Sequence, residues 1–408
     1  MIHSLQQMYP ALWQRNFRYY WAGQCISLIG TWMQTTGQQW LIYSMTKSAF
    51  LLGMLGAAQF LPMMLFSLPV GVFIDRYPKK KILLLTQTAL MLQGLILATL
   101  IWSGHVSYWN VLLLAGMLGI INTIDQPTRQ SFMPELVNRP NLRNAIGLNS
   151  AIVNLARIAG PALAALLMEE YGAALLFFLN ALSFLPVLLS IFYIKTLPLP
   201  QLPPPQSFTT EIRDGLIYIF QTKSLRTAIA AMLVIGTFIM NFNVITPLYA
   251  AEILGEGIYG YGVLMSASGI GSLISAFIAA SWLKKNPSFA LLLSSGLLLS
   301  FFFTSLQFIH SLSMAIAAFV LIGFFNILFL TTTNSLLQIN SADRFRGRVM
   351  SVYSLAFLGT TPLGNLFAGS IIEHLGAGIG IGICGFISLG LLSLLLLKTR
   401  FGKTNESP

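Results

Sequence analysis

Apolar runs of 18 residues or more recur in this chain from Tyr19 to Leu397. Wound as an α-helix, each run is long enough to cross a hydrocarbon core that is roughly 30 Å thick. Only 9% of the 408 residues are charged, whereas a soluble domain carries about 25%. The sequence therefore excludes a soluble enzyme and predicts an all-α membrane protein.

Charged residues, glycine and proline divide the apolar sequence into twelve predicted spans. The two cysteines, Cys25 and Cys384, fall inside spans at opposite ends of the chain, so we expect no disulfide framework, no metal site and no cofactor. The predicted spans are 18–44, 49–74, 81–103, 107–127, 142–168, 171–194, 225–250, 259–283, 288–309, 312–336, 347–372 and 377–397.

The 23 Lys and Arg residues fall almost entirely in alternate loops. All but Lys47 and Arg157 lie in the N-terminal segment, after the even-numbered spans, or in the C-terminal tail. Because short loops rich in Lys and Arg stay in the cytoplasm, we expect both termini there and the chain in the inner membrane. The net charge of +11 is then a topology signal and does not indicate nucleic-acid binding.

The chain repeats itself around a proline-rich interruption at 195–211. Span 5 aligns with span 11, so that Arg143 matches Arg346 and Pro161 matches Pro362. Such duplicated six-helix halves let secondary transporters build a central site that opens to either side. The predicted parts are an N-terminal six-helix bundle (1–194), a cytoplasmic central loop with a short amphipathic helix (195–224), a C-terminal six-helix bundle (225–398) and a cytoplasmic tail (399–408).

Polar side chains inside spans 1, 4, 7 and 10 predict a water-facing cavity, because such groups are costly against lipid. These four spans are equivalent under the repeat, whereas spans 3, 9 and 12 look lipid-facing. Aromatic residues beside the amides favour a bulky amphiphilic ligand. The alternative for each amide is a hydrogen bond between helices, worth about 0.6 kcal/mol on average. The candidate cavity residues are Gln24, Gln34, Gln38, Asn122, Arg157, Asn241, Asn243, Asn326 and Asn334.

Two of the ionisable residues inside spans are candidates for function. Arg157 is the only basic one away from the span ends. Facing lipid would cost on the order of 3 kcal/mol or more, so it should hold an anionic substrate group or link spans. A structural bridge to backbone carbonyls or amides is the alternative. Asp125 is the only acid placed inside a span and is the candidate for proton coupling. It lies near the cytoplasmic end of span 4, where Arg129 at i+4 can simply pair with it.

The segment GVFIDRYPKKK at the cytoplasmic end of span 2 combines a small residue, an acid–base pair, a turn proline and a basic cluster. Its acid can accept hydrogen bonds from a helix N-terminus, and its arginine can bridge to another acid. Such a latch can hold two bundles together in one state and release them in another; a stop-transfer cluster is the alternative. The latch residues are Gly71, Asp75, Arg76, Lys79 and Lys80.

Span 5 carries small residues on one face, including Gly147, Ala156 and Gly160, followed by Pro161, which bends the helix. This pattern resembles the antiporter motif of the major facilitator superfamily, with alanine at three glycine positions. The latch segment resembles that superfamily's loop between its second and third helices, G-x-x-x-D-R-x-x-R/K-R/K. Four further segments, 126–137, 144–164, 260–274 and 343–351, resemble the branch that contains the enterobactin exporter, macrolide efflux proteins and lysophospholipid transporters.

The resemblance covers nearly the whole chain and implies a proton-driven exporter with two pseudo-symmetric six-helix bundles. Its expected partners are protons, membrane lipids and a small amphiphilic substrate such as a drug, a macrolide or a siderophore, with the protein itself a monomer. A lysophospholipid flippase or importer of the same fold is the alternative. A membrane-embedded enzyme is disfavoured because no intramembrane acid pair exists and the four histidines lie in the N-terminal tail or outer loops.

Overall fold

The computed structural model describes residues 9–194, 208–282 and 287–404. Over these ranges the regular elements are helices and no strand occurs, which confirms the all-α fold. The predicted proline-rich stretch up to residue 207 and the tail beyond 404 lie outside the described residues, and so does the side chain of Asp75.

Six long helices precede the central loop. Their lengths, from 21 to 32 residues, suit a bilayer crossing. They are α1 (Arg15–Thr46), α2 (Ala49–Arg76), α3 (Lys79–Trp102), α4 (Tyr108–Leu136), α5 (Leu142–Tyr171) and α6 (Ala173–Tyr193).

The second half begins with a short helix of strongly amphipathic sequence and continues with further long helices. Its helices are α7 (Phe208–Gln221), α8 (Lys223–Phe238), α9 (Phe242–Leu248), α10 (Gly257–Trp282), α11 (Phe289–Ser305), α12 (Leu312–Ile339), α13 (Asp343–Leu375) and α14 (Ala377–Thr404).

Eleven segments of the described chain are long and apolar enough to cross a membrane. Helix α1 is not among them, although its 32 residues exceed the length required. Its glutamines lower its hydropathy, and those residues are also the reason for predicting a cavity beside it. The count of twelve spans stays a prediction.

The chain divides into two compact units. The first comprises Met1–Met45 and Leu61–Pro204, and the second comprises Thr46–Phe60 and Pro205–Pro408. Residues 49–60 of α2 therefore belong to the second unit, and the rest of this helix belongs to the first. The domain boundaries inferred from the sequence stay a prediction.

In the first unit, an apolar cluster joins α1, α4 and α6 near one end of the helices. Phe17, Phe132 and Val187 are fully buried there. The ring of Tyr20 packs edge-on against Phe132, with centroids 5.7 Å apart. These large side chains fix the ends of the helices that carry the polar residues described below.

In the second unit, α10 and α12 approach each other at glycines. A Cβ built on Gly271 would lie 1.9 Å from the carbonyl oxygen of Val320, and one on Gly323 would lie 2.0 Å from that of Ser268. The two backbones therefore touch without side chains between them, as small residues allow in membrane helices.

The span predicted at 225–250 is discontinuous. Helix α8 ends at Phe238 and α9 begins at Phe242, with π-helical residues Tyr249–Ile253 after it. The side-chain amide of Asn241 donates to the carbonyl of Thr237 at 2.7 Å and so competes with the helical backbone ladder. The side chain of Asn241 therefore favours the end of a helix at this position, and the hydropathy of the segment does not predict that end.

Candidate functional site

Asp125, the acid of α4, is fully buried and hydrogen-bonded. Its Oδ1 atom accepts from the hydroxyl of Thr86 at 2.7 Å and from the amide of Gln87 at 2.8 Å. Both donors lie on α3, on the face that packs inward. A carboxylate removed from water is tolerated only when such donors and a counter-charge surround it.

The counter-charge is Arg129, one turn further along α4. Its Nε lies 2.7 Å from Oδ2 of Asp125, and its Nη1 donates to Oε1 of Gln24 at 3.2 Å. The amide of Gln24 in turn donates to the hydroxyl of Tyr20 at 3.3 Å. A continuous polar path therefore links α1, α3 and α4, and we call these six side chains, Tyr20 to Arg129, the Asp125 cluster.

Gln34 takes part in a second network within the first unit. Its amide donates to Gln93 on α3 at 2.9 Å, and its carbonyl accepts a short hydrogen bond from Asn180 on α6. Gln93 also donates to the backbone carbonyl of Leu114 on α4. Both functional groups of Gln34 are thus engaged between helices, and its place in a substrate cavity stays a prediction.

Arg157 lies about midway along α5 and is half-buried. Its Nε is shielded from solvent and has no hydrogen-bond partner, and its guanidinium carbon lies 5.2 Å from the centre of the Trp32 ring. A cation–π contact contributes about 0.5–2 kcal/mol. A cation at the membrane centre costs about 2.5–3.5 kcal/mol even on the lowest scale, so Trp32 alone does not compensate the charge. The ion pairs of the described residues do not include Arg157.

Gln38 and its neighbour Gln39 are buried glutamines of α1, exposed by 2% and 0%. The nitrogen and oxygen of each amide have no hydrogen-bond partner. An unsatisfied buried amide is unfavourable by about 1–3 kcal/mol. A ligand or water that entered the first unit could therefore satisfy these two glutamines. The predicted cavity residue Asn122, on α4, is half-buried.

In the second unit, Asn241 sits in the break between α8 and α9 and is fully buried. Its Oδ1 atom has no partner. A Cβ on Gly364 of α13 would lie 2.5 Å from that oxygen and 2.3 Å from the carbonyl oxygen of Thr237, so glycine is needed for α13 to approach the break. Non-helical backbone at membrane depth is where transporters place binding groups.

The remaining predicted asparagines of the second unit are half-buried. Asn326 has a buried, unpartnered Oδ1, and Asn334 accepts a hydrogen bond from Gln338 one turn later on α12. Asn243 lies on α9, next to the break. Whether these side chains line a substrate cavity stays a prediction.

The two lysines of the latch segment are anchored within the first unit. Lys79 pairs with Glu135 of α4 at 3.1 Å, and Lys80 donates to the carbonyls of Phe192 and Ile194, at the C-terminus of α6. A cation is favourable there because the last carbonyls of a helix lack partners. Gly71 and Arg76 are exposed. With the side chain of Asp75 outside the described part, the latch stays a prediction.

The small residues of α5 pack it against α1. Ala156, Gly160 and Pro161 are buried, and a Cβ on Gly160 would lie 2.5 Å from Cβ of Trp32. Gly147, by contrast, is exposed with open space around it. Close helix packing explains Gly160, while an antiporter role for the motif stays a prediction.

Sequence reasoning missed polar residues on α3, which was taken as lipid-facing, and on α13. Thr86, Gln87 and Gln93 belong to α3, and Asn365 of α13 is 1% exposed with an unpartnered amide. Thr86 and Gln93 are seven residues apart and therefore lie on one helix face, a periodicity that the composition of the span conceals.

Surface cavities of about 700 and 560 Å³ lie elsewhere. The larger is formed by α7 and the start of α13, beside the ion pair of Asp214 and Arg348 (2.9 Å). The smaller lies at the start of α5 and includes Gly147. Among the described residues, no three His, Cys, Asp or Glu side chains form a group that could hold a metal ion.

Similar sequences belong to membrane transporters. The pattern of a family described as "Transmembrane secretion effector" matches residues 7–407. The Staphyloferrin A transporter of Staphylococcus aureus is 24% identical over 353 residues, or 86% of this chain and 87% of that protein. The multidrug efflux pump Tap of Mycolicibacterium fortuitum is 24% identical over 88% of each chain. Macrolide efflux protein A of Streptococcus pyogenes is 25% identical over 59% of this chain and 60% of that protein.

Solved structures with a similar fold are also transporters. The nucleoside transporter NupG matches with a TM-score of 0.78 at 11% identity, covering 94% of this chain and 98% of that chain. A bacterial homolog of the human lysosomal transporter Spinster, inward-facing and unoccupied, matches with a TM-score of 0.70 at 13% identity over 95% of each chain. At these identities the likeness concerns the fold alone.

Proposed function

Because the chain belongs to the transmembrane secretion effector family of the major facilitator superfamily, whose members are transporters and not enzymes, we propose that it exports amphiphilic small molecules in exchange for protons. The export occurs across the bacterial inner membrane by alternating access. The protein works as a monomer with both termini in the cytoplasm.

The direction and substrate class are supported by the relatives. Two of them are called efflux proteins, for macrolides and for multiple drugs, and a third transports a siderophore. These molecules are larger than sugars or inorganic ions. An amphiphile of this kind is bound through apolar and aromatic surface with a few polar anchors, which the amides and rings of α1 and α12 can supply.

Proton coupling rests on the Asp125 cluster. The acid is fully buried, paired with Arg129, and connected through Gln24 to α1. If Asp125 takes up a proton, Arg129 loses its counter-charge. We expect this partly buried cation to move toward water and its contact with Gln24 to change. Protonation and the packing of α1 against α4 are then coupled, as antiport requires.

Inside-out inner-membrane vesicles test this function. Vesicles that contain the protein are given an imposed proton gradient and a labelled macrolide or a labelled siderophore, with vesicles lacking the protein as the control. We expect accumulation of at least one compound, and its loss when a protonophore is added. Accumulation that is insensitive to the gradient would contradict proton antiport but leave export intact.

A strain that lacks the protein gives an independent test of the substrate class. We expect lower secretion of an iron chelator or greater sensitivity to at least one antibiotic in a panel. Altered lysophospholipid remodelling with unchanged secretion and unchanged antibiotic sensitivity would contradict export and favour the lipid-transporting alternative.

A further inference from the structure

Arg157 and Trp32 form a cationic and aromatic pair that the proton pathway does not use. The guanidinium lies 5.2 Å from the ring centre, and its Nε is buried with no hydrogen-bond partner. A guanidinium presents its donors in a planar fork that matches a carboxylate in two parallel hydrogen bonds. An anion would accept from Nε and balance the charge of Arg157, and no acidic side chain of the described residues pairs with it.

The position of the pair is fixed by the backbone. Gly160, three residues after Arg157, lets α5 approach α1 so closely that an added Cβ would lie 2.5 Å from Cβ of Trp32 and 3.0 Å from the backbone nitrogen of Met33. Close contact between two helices limits the rotation of the side chains next to it. Arg157 and Trp32 are thus held in place before a ligand arrives, which reduces the entropy lost on binding.

A second polar group lies on the same face of α1. Gln39 is seven residues beyond Trp32, which places it two helical turns away and about 10 Å further along the axis. It is fully buried, and neither atom of its amide has a hydrogen-bond partner. An anion held at Arg157 can therefore extend past Trp32 and offer hydrogen-bonding groups to Gln39.

We propose that Arg157 and Trp32 form a subsite for a carboxylate group of the transported molecule. Trp32 covers the adjoining apolar or planar part, and Gln39, about 10 Å from Trp32 along α1, binds a polar group further along the molecule. The proposal rests on the proposed transport function and narrows its substrate class to organic carboxylates. Within this subsite, the charge of Arg157 gives selectivity and the ring of Trp32 gives affinity for the apolar part.

Equilibrium binding to the purified full-length protein tests the subsite without any gradient. Three radiolabelled probes share one phenyl ring and one chain: 4-phenylbutyrate, its neutral amide and 4-phenylbutylamine. We expect the wild-type protein to bind the anion at least tenfold more tightly than the amide or the cation. The absence of this preference, including a failure to bind any of the three, would overturn the proposal.

Variants separate charge from structure. Arg157→Gln should weaken binding of the anion at least tenfold and change that of the amide less than twofold, whereas Trp32→Leu should weaken both by a similar factor. Arg157→Lys keeps the charge without the planar fork, so it should weaken binding of the anion by less than Arg157→Gln does. This variant serves as the test if the glutamine variant does not fold. Arg143→Gln, the same substitution at an exposed position of α5, should leave binding unchanged.

Equal weakening of anion and amide by Arg157→Gln would indicate a structural role and overturn the subsite. Tighter binding of a lysophospholipid than of 4-phenylbutyrate, lost in the same variant, would also overturn it, because the recognised group would then be a phosphate. No gradient is applied in the binding experiment, so its result is independent of the vesicle experiment. The subsite would therefore stand even if transport were not coupled to protons.

Discussion

The Nε atom of Arg129 lies 2.7 Å from Oδ2 of Asp125, one turn earlier on the same helix. The side chain of Asp125 has no exposed surface, whereas the side chain of Arg129 is 19% exposed. The pair is therefore accessible only from the side of the arginine. In the proposed antiport, proton uptake by Asp125 would release Arg129 from its counter-charge and allow it to move.

We predict that Asp125→Asn reduces gradient-driven transport at least tenfold with normal membrane insertion. The asparagine oxygen can still accept from Thr86 and Gln87, so local packing survives, but the side chain can no longer carry a proton. Transport into inside-out vesicles measures the effect. Glu135→Gln is the matched control, because it neutralises an acid of the same helix that pairs with Lys79 instead.

Wild-type proton dependence in the Asp125→Asn vesicles would remove this acid from the coupling mechanism. A comparable loss in Glu135→Gln would mean that the effect is not specific to Asp125. Either result would leave the family assignment unaffected, since that assignment rests on the sequence match over residues 7–407.

The sequence was sufficient to place Asp125 and Arg129 together, because residues four apart on a helix are neighbours. It was not sufficient to find their other partners. Thr86 and Gln87 lie on α3, whose overall hydropathy is that of a lipid-facing span, and the pairing of two helices depends on tertiary packing. A polar stripe on one face of an otherwise apolar helix is the signal that an average over the span removes.

The helix break at Asn241 is a second feature that could not be predicted from the sequence. Hydropathy across residues 223–253 is that of one continuous span, so a single helix was the expectation. The side-chain hydrogen bond from Asn241 to Thr237 and the close approach permitted by Gly364 are local and tertiary effects that hydropathy does not contain.

We predict that Gly323→Ala strongly destabilises the second unit. The new Cβ would lie 2.0 Å from the carbonyl oxygen of Ser268, and backbone cannot yield as a flexible side chain can. A cost of about 3 kcal/mol, at the upper end for overpacking, should lower the thermal unfolding midpoint of the detergent-solubilised protein. Gly116→Ala, where nothing lies within 4 Å, should be neutral or stabilising. Equal midpoints for the two variants would contradict the close approach of α10 and α12.

We predict that Gln93→Leu destabilises the first unit by about 1–3 kcal/mol, because it leaves the buried amide of Gln34 without its acceptor. The double variant Gln34→Leu/Gln93→Leu should cost less than the sum of the single variants, since both partners are then apolar. Gln130→Leu, an exposed position on α4, is the control. Additive single effects, measured by thermal unfolding, would show that the two amides do not interact.

We predict that Glu373→Gln loosens the N-terminus of α2. Oε2 of Glu373 accepts from the hydroxyl of Ser48 and from the backbone nitrogen of Phe50, both at 3.1 Å. A carboxylate near a helix N-terminus contributes about 0.3–1 kcal/mol when exposed, through the dipole and the orphan N–H groups.

Hydrogen exchange at the backbone amides of residues 49–52 measures this loosening, and we expect faster exchange in Glu373→Gln than in the wild type. The difference should shrink in high salt, because an exposed charge is screened. His374→Gln, at the adjacent exposed position, provides the control. Equal exchange in the two variants, or an effect that salt does not change, would contradict an electrostatic contact between the carboxylate and the helix.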